Sequence, residues 1–284
     1  MYTLIAQNKY GQQMELTHNE AYVIESIEGL DPPEAVINTT RNANADGSVY
    51  NSAYVDNRQI IITLAINGPA EANRINLYKY FKNKYPVRLY YQNNTRDVYI
   101  DGYCKNIQIE FFNKKQIAQI TILCPEPFFN GSSNTVIDFS SVTSGFEFPF
   151  SIEDPPGEIE FSTINLEEEK DLVNTGDVET GFSIYLKARG PVTNPTIYNS
   201  ETNEYIKLNI TMSEGDVIFI NTKTKQKTIQ LTSNGVTTNI IGNLVNGSTW
   251  FTLTPGDNLF IITAEGTPEN LDSYAVITDQ FEGV

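Results

Sequence analysis

Apolar and polar residues alternate with a period of two along most of this chain, the pattern of strands that bury one face. In the first 130 residues the alternation predicts strands at 58–64, 87–91, 98–112 and 116–124. Beyond them, at roughly ten-residue spacing, it predicts strands at 181–188, 204–210, 216–221, 227–232 and 258–264. Gly-Asp, Asn-Gly and Pro-Gly turns separate these segments. The chain is therefore predicted to be mainly β.

One helix is predicted after Asn67-Gly68-Pro69. Gly68 or Asn67 can cap it, Pro69 suits the first turn, and Pro86 ends it. The helix is expected to cover one face of the neighbouring sheet. The residues that recur at helical spacing are Ala72, Ile75, Tyr78 and Phe81-Lys82.

A long polar stretch interrupts the strands of the first half. From Asn38 to Asn57 the composition changes to Asn, Thr, Ser, Ala and Asp, with almost no core-forming residues. Such a stretch inside a compact domain is either disordered or used for contact.

Two domains are predicted, because 284 residues exceed what one hydrophobic core commonly serves. The boundary is placed at Pro125 to Gly131, where prolines stop a strand and Gly, Ser and Asn follow. Residues 1–130 are expected to form a β-sandwich-like domain with one helix and an extended arm. Residues 131–284 are expected to form an antiparallel β-sandwich, although the last dozen residues carry no clear structural signal.

Cys104 and Cys124 are predicted to be free thiols. A two-residue turn between their strands places Ile107 opposite Ile120, which pairs apolar with apolar. This register sends Cys104 to the polar face and Cys124 to the apolar face. A disulfide would therefore need a bulge, for which Gly102 is a candidate.

Charge argues against nucleic acid as a specific ligand, since 35 acidic and 19 basic residues give a net charge of −16 that repels phosphate backbones. The sequence shows neither a signal peptide nor an apolar run of membrane-spanning length. We therefore expect the protein to be made and kept in the cytosol.

No catalytic centre, metal site or cofactor site is predicted. The only histidine, His18, lies in a polar turn without a nucleophile beside it. A carboxylate-based glycosidase is the enzymatic alternative, but acid pairs are expected by coincidence in a chain with 35 acids. Trp250 is either a core residue of the second sandwich or a platform on which a sugar stacks.

The order of several turn and core motifs resembles that of siphovirus distal tail proteins. In the first half the resemblance rests on Gly29-Leu30-Asp31-Pro32-Pro33, Asp46-Gly47-Ser48, Arg58 with its strand, the helix 74–81, 99–103, and Cys124-Pro125-Glu126-Pro127-Phe128-Phe129. In the second half it rests on 174–177, Gly181-Phe182, 194–197, 215–216, 247–250 and 255–258. Each motif alone is a modest signal, and the evidence is their shared order.

That resemblance implies a structural role in the tail tip of a phage, or of a phage-derived particle such as a prophage product, assembled in the host cytoplasm. It implies a homohexameric ring formed mainly by the first domain, with galectin-like or carbohydrate-module-like second domains outside it. The expected partners are the tail tube protein and a tail-associated hub or lysin protein, with receptor-binding proteins or cell-wall saccharide as further candidates.

The polar stretch is expected to be an intersubunit arm in such a ring, because a head-to-tail contact that repeats around an axis closes a ring. The alternative function is a carbohydrate-binding module that attaches to the host cell wall through Trp250. The residues expected in the arm are Asn38, Thr39, Thr40, Arg41, Asn42, Asp46, Gly47, Tyr50, Tyr54 and Asp56.

Overall fold

A computed structural model describes residues 2–284 except 42, 45, 111, 114, 140, 145–161 and 166–168, with the backbone alone at 141–144 and 162–165. Two compact units are formed. The first comprises Met1–Ser132 and Gln280–Val284, and the second comprises Ser133–Asp279. The prediction of a mainly β protein is confirmed, and the strand pairs within the described residues are antiparallel.

The first unit is built on one large sheet with a single helix. Its sheet has the strand order β2-β1-β7-β8-β9-β6-β3, with β10 added to β8, and β4 and β5 form a separate two-stranded pair. The elements are β1 Thr3–Asn8, β2 Gln13–Glu15, β3 Tyr22–Glu28, β4 Ala35–Thr40, β5 Val49–Val55, β6 Arg58–Ile66, α1 Ala70–Tyr80, β7 Pro86–Gln92, β8 Asp97–Ile109, β9 Gln116–Cys124 and β10 Phe129–Gly131.

The helix α1 packs on the core of this sheet through Leu77 and Phe81, both almost fully buried. Ala70 lies on the same face, because it precedes Leu77 by seven residues and Leu77 precedes Phe81 by four. Residues at these spacings lie on one side of a helix. The helix was predicted correctly, but of the residues expected at helical spacing Phe81 is buried while Ile75 is 48% exposed. Among the described residues no helix is long and apolar enough to cross a membrane.

A β-bulge in β8 places Cys104 in the core, where Cys124 also lies. Ile107 pairs with Ile120 as predicted, but a bulge follows Cys104, which lies opposite Ile122. The expectation that Cys104 faces the polar side was wrong, because the extra residue of a bulge reverses the alternation beyond it. Cys104 and Cys124 are buried and free, so the prediction of free thiols is confirmed.

The second unit is a sandwich of two sheets around one core. One sheet has the order β11-β23-β15-β19-β20-β21, the other has β14-β22-β16-β17 with β18 on β16, and β12 pairs with β13. The core draws Ile184 and Ile218 from the first sheet and Ile197 and Phe260 from the second. The strands are β11 Thr135–Asp138, β12 Ser141–Ser144, β13 Ser162–Asn165, β14 Lys170–Asp171, β15 Ser183–Ala188, β16 Val192–Asn199, β17 Tyr205–Lys207, β18 Thr211–Met212, β19 Val217–Asn221, β20 Thr228–Ser233, β21 Val236–Asn239, β22 Leu259–Glu265 and β23 Leu271–Ile277.

Two 3₁₀ turns, Ile241–Asn243 and Pro268–Asn270, complete this unit. The likeness to a galectin stays a prediction, and the described geometry establishes the β-sandwich alone.

The last five residues return to the first unit, although the sequence carries no signal for this. A final strand, β24 (Gln280–Phe281), pairs with β10 through Phe129 opposite Phe281 and Asn130 opposite Gln280. The first unit therefore runs through Ser132 and includes 280–284, which the expected division at residue 130 does not describe.

Candidate assembly site

A hairpin of residues 35–55, called the arm from here on, has little cover from the part of the chain that the structure describes. Within that part its strands β4 and β5 pair only with each other. Every described residue of the arm is exposed except Val55, which is half-buried. Because a lone two-stranded hairpin is marginally stable in water, an arm of this kind gains from a covering partner.

The register of the arm gives it two distinct faces. Ile37, Thr39 and Tyr50 share one face, while Asn38 and Ser52 lie on the other, where Asn38 Nδ2 donates to Ser52 Oγ at 3.1 Å. Large apolar side chains are exposed on both faces, contrary to the usual burial of such residues. They are Ile37 (62%), Tyr50 (63%), Val49 (55%), Tyr54 (54%) and Val36 (38%).

The structure brings most of the predicted arm residues into this hairpin. Asn38, Thr39 and Thr40 lie on β4, and Tyr50 and Tyr54 lie on β5. Arg41, Asp46 and Gly47 lie in the exposed connection between the strands, Asp56 follows β5, and Asn42 lies outside the described residues.

The apolar members of the arm, Val36, Ile37 and Val49, were not predicted from the sequence. A usable signal was present, since Asp46-Gly47 between β-branched and aromatic residues is a hairpin pattern. Gly47 has a φ of +91°, the left-handed conformation that favours glycine in such a turn.

The base of the arm is organised around Arg58, whose side chain is almost fully buried. Its Nη1 donates to the carbonyl oxygens of Gly29 at 2.7 Å and Asp31 at 2.9 Å, in the loop that leads into β4. Its Nε donates to the carbonyl oxygen of Pro127 at 2.5 Å, and its Nη2 donates to that of Glu282. We call Arg58 and these four carbonyl groups the root.

The root joins motifs that are far apart in sequence. The guanidinium carbon of Arg58 also lies 4.7 Å from the centre of the Phe129 ring, a cation–π distance. The loop at residues 29–33 and the segment 124–129, noted separately in the sequence, thus meet at one side chain. The contact of Glu282 was not predicted, because it depends on the return of residues 280–284.

The electrostatics of the root follow from burial of a cation. Burial lowers the pKa of Arg58 from its ordinary value, while the nearby Cys124, Glu282 and Asp31 oppose that shift. Burial also raises the pKa of the Cys124 thiol to about 12 and that of Cys104 to about 11. The hydrogen bonds to four carbonyl oxygens compensate for the lost hydration of the guanidinium.

Gly29 is required at the root by two independent constraints. Its φ is +86°, and a Cβ at this position would stand 2.2 Å from the carbonyl oxygen of Gln59. Beside it lies a cleft of about 610 Å³, lined by residues 29 and 31–36 on one side and 56–59 on the other. The loop therefore approaches β6 as closely as backbone atoms allow before the chain enters the arm.

The returning residues 280–284 hold this loop from the other side. Val284 N donates to the carbonyl oxygen of Leu30 at 3.3 Å, and Gly283 lies against Pro32. Together with the bond from Arg58 to Glu282, these contacts fix the loop between β3 and the arm.

The other residues considered for chemistry are not part of the arm. His18 is 43% exposed and its Nδ1 lies 2.9 Å from Glu15 Oε1. Among the described residues no group of three His, Cys, Asp or Glu side chains is placed to hold a metal ion. The carboxylate of Asp101 accepts two hydrogen bonds from Arg88.

Trp250 is half-buried and packs against the core of the second unit. The ammonium of Lys227 lies 5.6 Å from the centre of its ring. This position suits a packing role, and a contact between Trp250 and a sugar stays a prediction.

Two family models match the chain. The phage tail protein RIFT-related domain matches residues 9–124, and the C-terminal domain of the siphovirus-type tail component matches residues 175–272. The first match includes the arm and Arg58, and the second includes most of the sandwich. No protein with a curated function matches the sequence.

Solved structures share the fold over the whole chain. The Dit protein (gp 19.1) of phage SPP1, described as a paradigm of the hub adsorption apparatus in phages that infect Gram-positive hosts, matches with a TM-score of 0.70 and 12% identity over 99% of each chain. A chain of the phage P2 baseplate, in its activated conformation with Ca, matches with a TM-score of 0.53 and 14% identity over 100% of each chain. The same baseplate with Sr gives a TM-score of 0.50 at 12% identity. At these identities the likeness establishes the fold.

Proposed function

Because the chain belongs to the Dit-like family of siphovirus distal tail proteins and is a structural component of the tail tip, we propose that it forms a homohexameric ring there. The ring joins the tail tube protein to a tail-associated hub or lysin protein, and it is assembled in the host cytoplasm. The residues of the arm make the contact between neighbouring subunits.

The arm is the observation that carries this proposal. A hairpin that exposes five large apolar side chains and pairs with no other strand among the described residues is suited to burial against another subunit. A head-to-tail contact of this kind, repeated around an axis, closes a ring.

The test is the oligomeric state of the purified protein, measured by light scattering and negative-stain microscopy. Six-fold rings are expected at high concentration, either alone or after addition of the tail tube and hub proteins. Tyr50→Ser should weaken each junction about tenfold, the effect of losing one buried aromatic contact. Tyr10→Ser is the matched control, because Tyr10 is 69% exposed but lies outside the arm. The absence of rings both alone and with the tail proteins would refute the proposal.

The acidic balance of the chain suits a conduit for DNA. A ring of subunits that each carry a net charge of −16 repels the phosphate backbone, so DNA passes without adhering. Titration of a ring–DNA mixture with potassium chloride should show no tight, salt-sensitive binding, and such binding would contradict this part of the proposal.

Catalysis has no part in the proposed function, which also needs no cofactor. The direct check is incubation of the purified protein with peptidoglycan, where no clearing is expected. Clearing of peptidoglycan would instead support the alternative that the protein is a carboxylate-based glycosidase.

A further inference from the structure

Charge is distributed unevenly between the two units. The first unit carries 14 acidic and 12 basic residues, so it is almost neutral, whereas the second carries 21 acidic and 7 basic residues. Within the first unit, residues 2–14 and 72–96 contain seven basic residues and no acidic one. An acidic protein thus has two segments whose side-chain charges are all positive.

These two segments meet at one tyrosine. The ammonium of Lys9, in the turn between β1 and β2, lies 3.9 Å from the centre of the Tyr85 ring. The ammonium of Lys82 lies 5.7 Å from the centre of the same ring. Lys82, Lys84 and Tyr85 belong to the loop between α1 and β7, and these three residues and Lys9 are exposed. We call Lys9, Lys82, Lys84 and Tyr85 the basic cluster.

The lysines of the basic cluster have no acidic counterpart in the part of the chain that the structure describes. Lys207, by contrast, has its ammonium 2.6 Å from Glu265 Oε1. Within the described residues, Lys9, Lys82 and Lys84 form no ion pair. Two ammonium groups near one ring repel each other, and at an exposed site the ring attracts them only weakly. An anion placed between them removes that repulsion, so the basic cluster is suited to an anionic partner.

The loop that carries most of the basic cluster is held by the backbone of β8. Lys84 N donates to the carbonyl oxygen of Cys104 at 2.8 Å, and Cys104 N donates to that of Tyr85 at 3.1 Å. Lys84 has a φ of +71°, a left-handed conformation that is unfavourable for residues other than glycine. The backbone of the cluster is therefore ordered before a partner arrives, which lowers the entropic cost of binding.

The composition of the basic cluster favours carboxylates over the phosphates of a nucleic acid. The cluster lacks arginine, whose planar guanidinium matches two phosphate oxygens, and an ammonium is a point charge that one carboxylate can satisfy. An ammonium also covers one face of the Tyr85 ring, which leaves less of the ring for a base to stack on. Tyr85 is 38% exposed, and its hydroxyl group can donate to a carboxylate.

We propose that the basic cluster binds an acidic segment of another protein of the tail tip, with aspartate and glutamate side chains placed between its lysines. This inference rests on the proposed assembly with other tail proteins, and it names the chemistry of one contact in that assembly. The partner segment carries at least two carboxylates close together, because the ammonium groups of Lys9 and Lys82 share one ring.

An oligoglutamate peptide labelled with fluorescein is the probe for this chemistry. Its anisotropy should rise on titration with the full-length protein at low salt, and potassium chloride should reverse the rise. Lys82→Gln combined with Lys84→Gln should weaken binding about tenfold, the combined effect of two exposed ion pairs. Lys187→Gln combined with Lys227→Gln is the matched control, because it removes the same charge from exposed positions of the second unit. Equal weakening by the two double variants would overturn the proposal.

A labelled DNA duplex in the same assay separates carboxylates from phosphates. We expect it to bind more weakly than oligoglutamate. DNA that binds as tightly as oligoglutamate, and loses that binding in the variant with Lys82→Gln and Lys84→Gln, would make the basic cluster a nucleic-acid site instead.

Zero-length cross-linking tests the contact in the assembly of the chain with the tail tube and hub proteins. A carbodiimide joins an amine to a carboxylate only where the two are in contact. Lys9, Lys82 or Lys84 should be joined to an aspartate or glutamate of a different protein. Cross-links from these lysines only to further copies of the same chain would show that the basic cluster is a contact between subunits, contrary to the proposal.

The outcomes for the basic cluster and for the ring are distinguishable. Normal rings that assemble with the tail proteins but give no cross-link at Lys9, Lys82 or Lys84 would refute this inference and leave the ring intact. Failure of the wild-type chain to form rings would refute the ring, whereas the oligoglutamate titration needs no ring and tests the basic cluster in either case.

Discussion

Replacement of Arg58 by methionine should destabilise the first unit by about 3–5 kcal/mol. The substitution keeps an apolar side chain of similar length against the Phe129 ring but removes every donor from the root. Hydrogen bonds from a charged donor contribute about 1.5–3 kcal/mol each. The bond to Pro127 is buried, so its loss has full effect, whereas the acceptors Gly29, Asp31 and Glu282 are partly buried and can bind water afterwards.

Urea denaturation with two probes can assign this loss to one unit. The only tryptophan, Trp250, lies in the second unit, so its fluorescence reports that unit, while far-UV circular dichroism reports both. With a slope of about 2 kcal/mol per molar urea, the circular dichroism transition of the first unit should move down by about 2 M. The fluorescence transition should stay where it is.

Arg88→Met is the control for this experiment. Arg88 makes a bidentate ion pair with Asp101 and lies 4.1 Å from the centre of the Tyr99 ring, but its side chain is 37% exposed. Exposed ion pairs contribute at most about 1 kcal/mol, so this variant should lose little stability. A loss for Arg58→Met below about 1 kcal/mol, or one equal to that of Arg88→Met, would show that the root does not organise the base of the arm.

Three further predictions concern backbone, pH and packing. Gly29→Ala should destabilise the first unit by more than about 2 kcal/mol in the same urea assay, because it adds a clash to an unfavourable φ. Gly11→Ala, with φ +78° and nothing within 4 Å, should lose about 1 kcal/mol. Between pH 9 and 11 the free energy of unfolding should fall, because unfolded thiols ionise near 9.0 while burial raises the pKa of Cys104 to about 11 and of Cys124 to about 12. In a Cys124→Ala variant this pH dependence should be smaller. Trp250→Ala should destabilise the second unit by about 2 kcal/mol and leave retention on a saccharide column unchanged.

Each of these expectations has a contradicting result. Equal losses of unfolding free energy for Gly29→Ala and Gly11→Ala would show that the contact of the added Cβ with the carbonyl oxygen of Gln59 costs no stability. An unchanged pH dependence without Cys124 would show that this thiol does not hold its proton in the folded state. Loss of saccharide retention by a folded Trp250→Ala protein would support the carbohydrate-binding alternative.

Local alternation was enough to predict nine of the strands, because the period of two is written in adjacent residues. They are β6, β7, β8, β9, β15, β17, β19, β20 and β22. The register of Ile107 with Ile120 followed from the same pattern, since only that pairing matches apolar with apolar. The strand β23 escaped notice for a related reason. Its inward positions include Ser273 and Ala275, which are buried but too small or polar to stand out in a hydrophobic pattern.

The same contrast applies to the arm and its root: the arm could be predicted from the sequence, whereas the root could not. The scarcity of core-forming residues between Asn38 and Asn57 was sufficient to predict a segment outside the core, because such residues cannot bury enough apolar area to pack inside. That Arg58 collects carbonyl oxygens from Gly29, Pro127 and Glu282 could be decided only by the tertiary structure. Arg58 and Glu282 are 224 positions apart in the chain. Backbone carbonyls are present at every residue, so no sequence pattern distinguishes the few that converge on one buried cation.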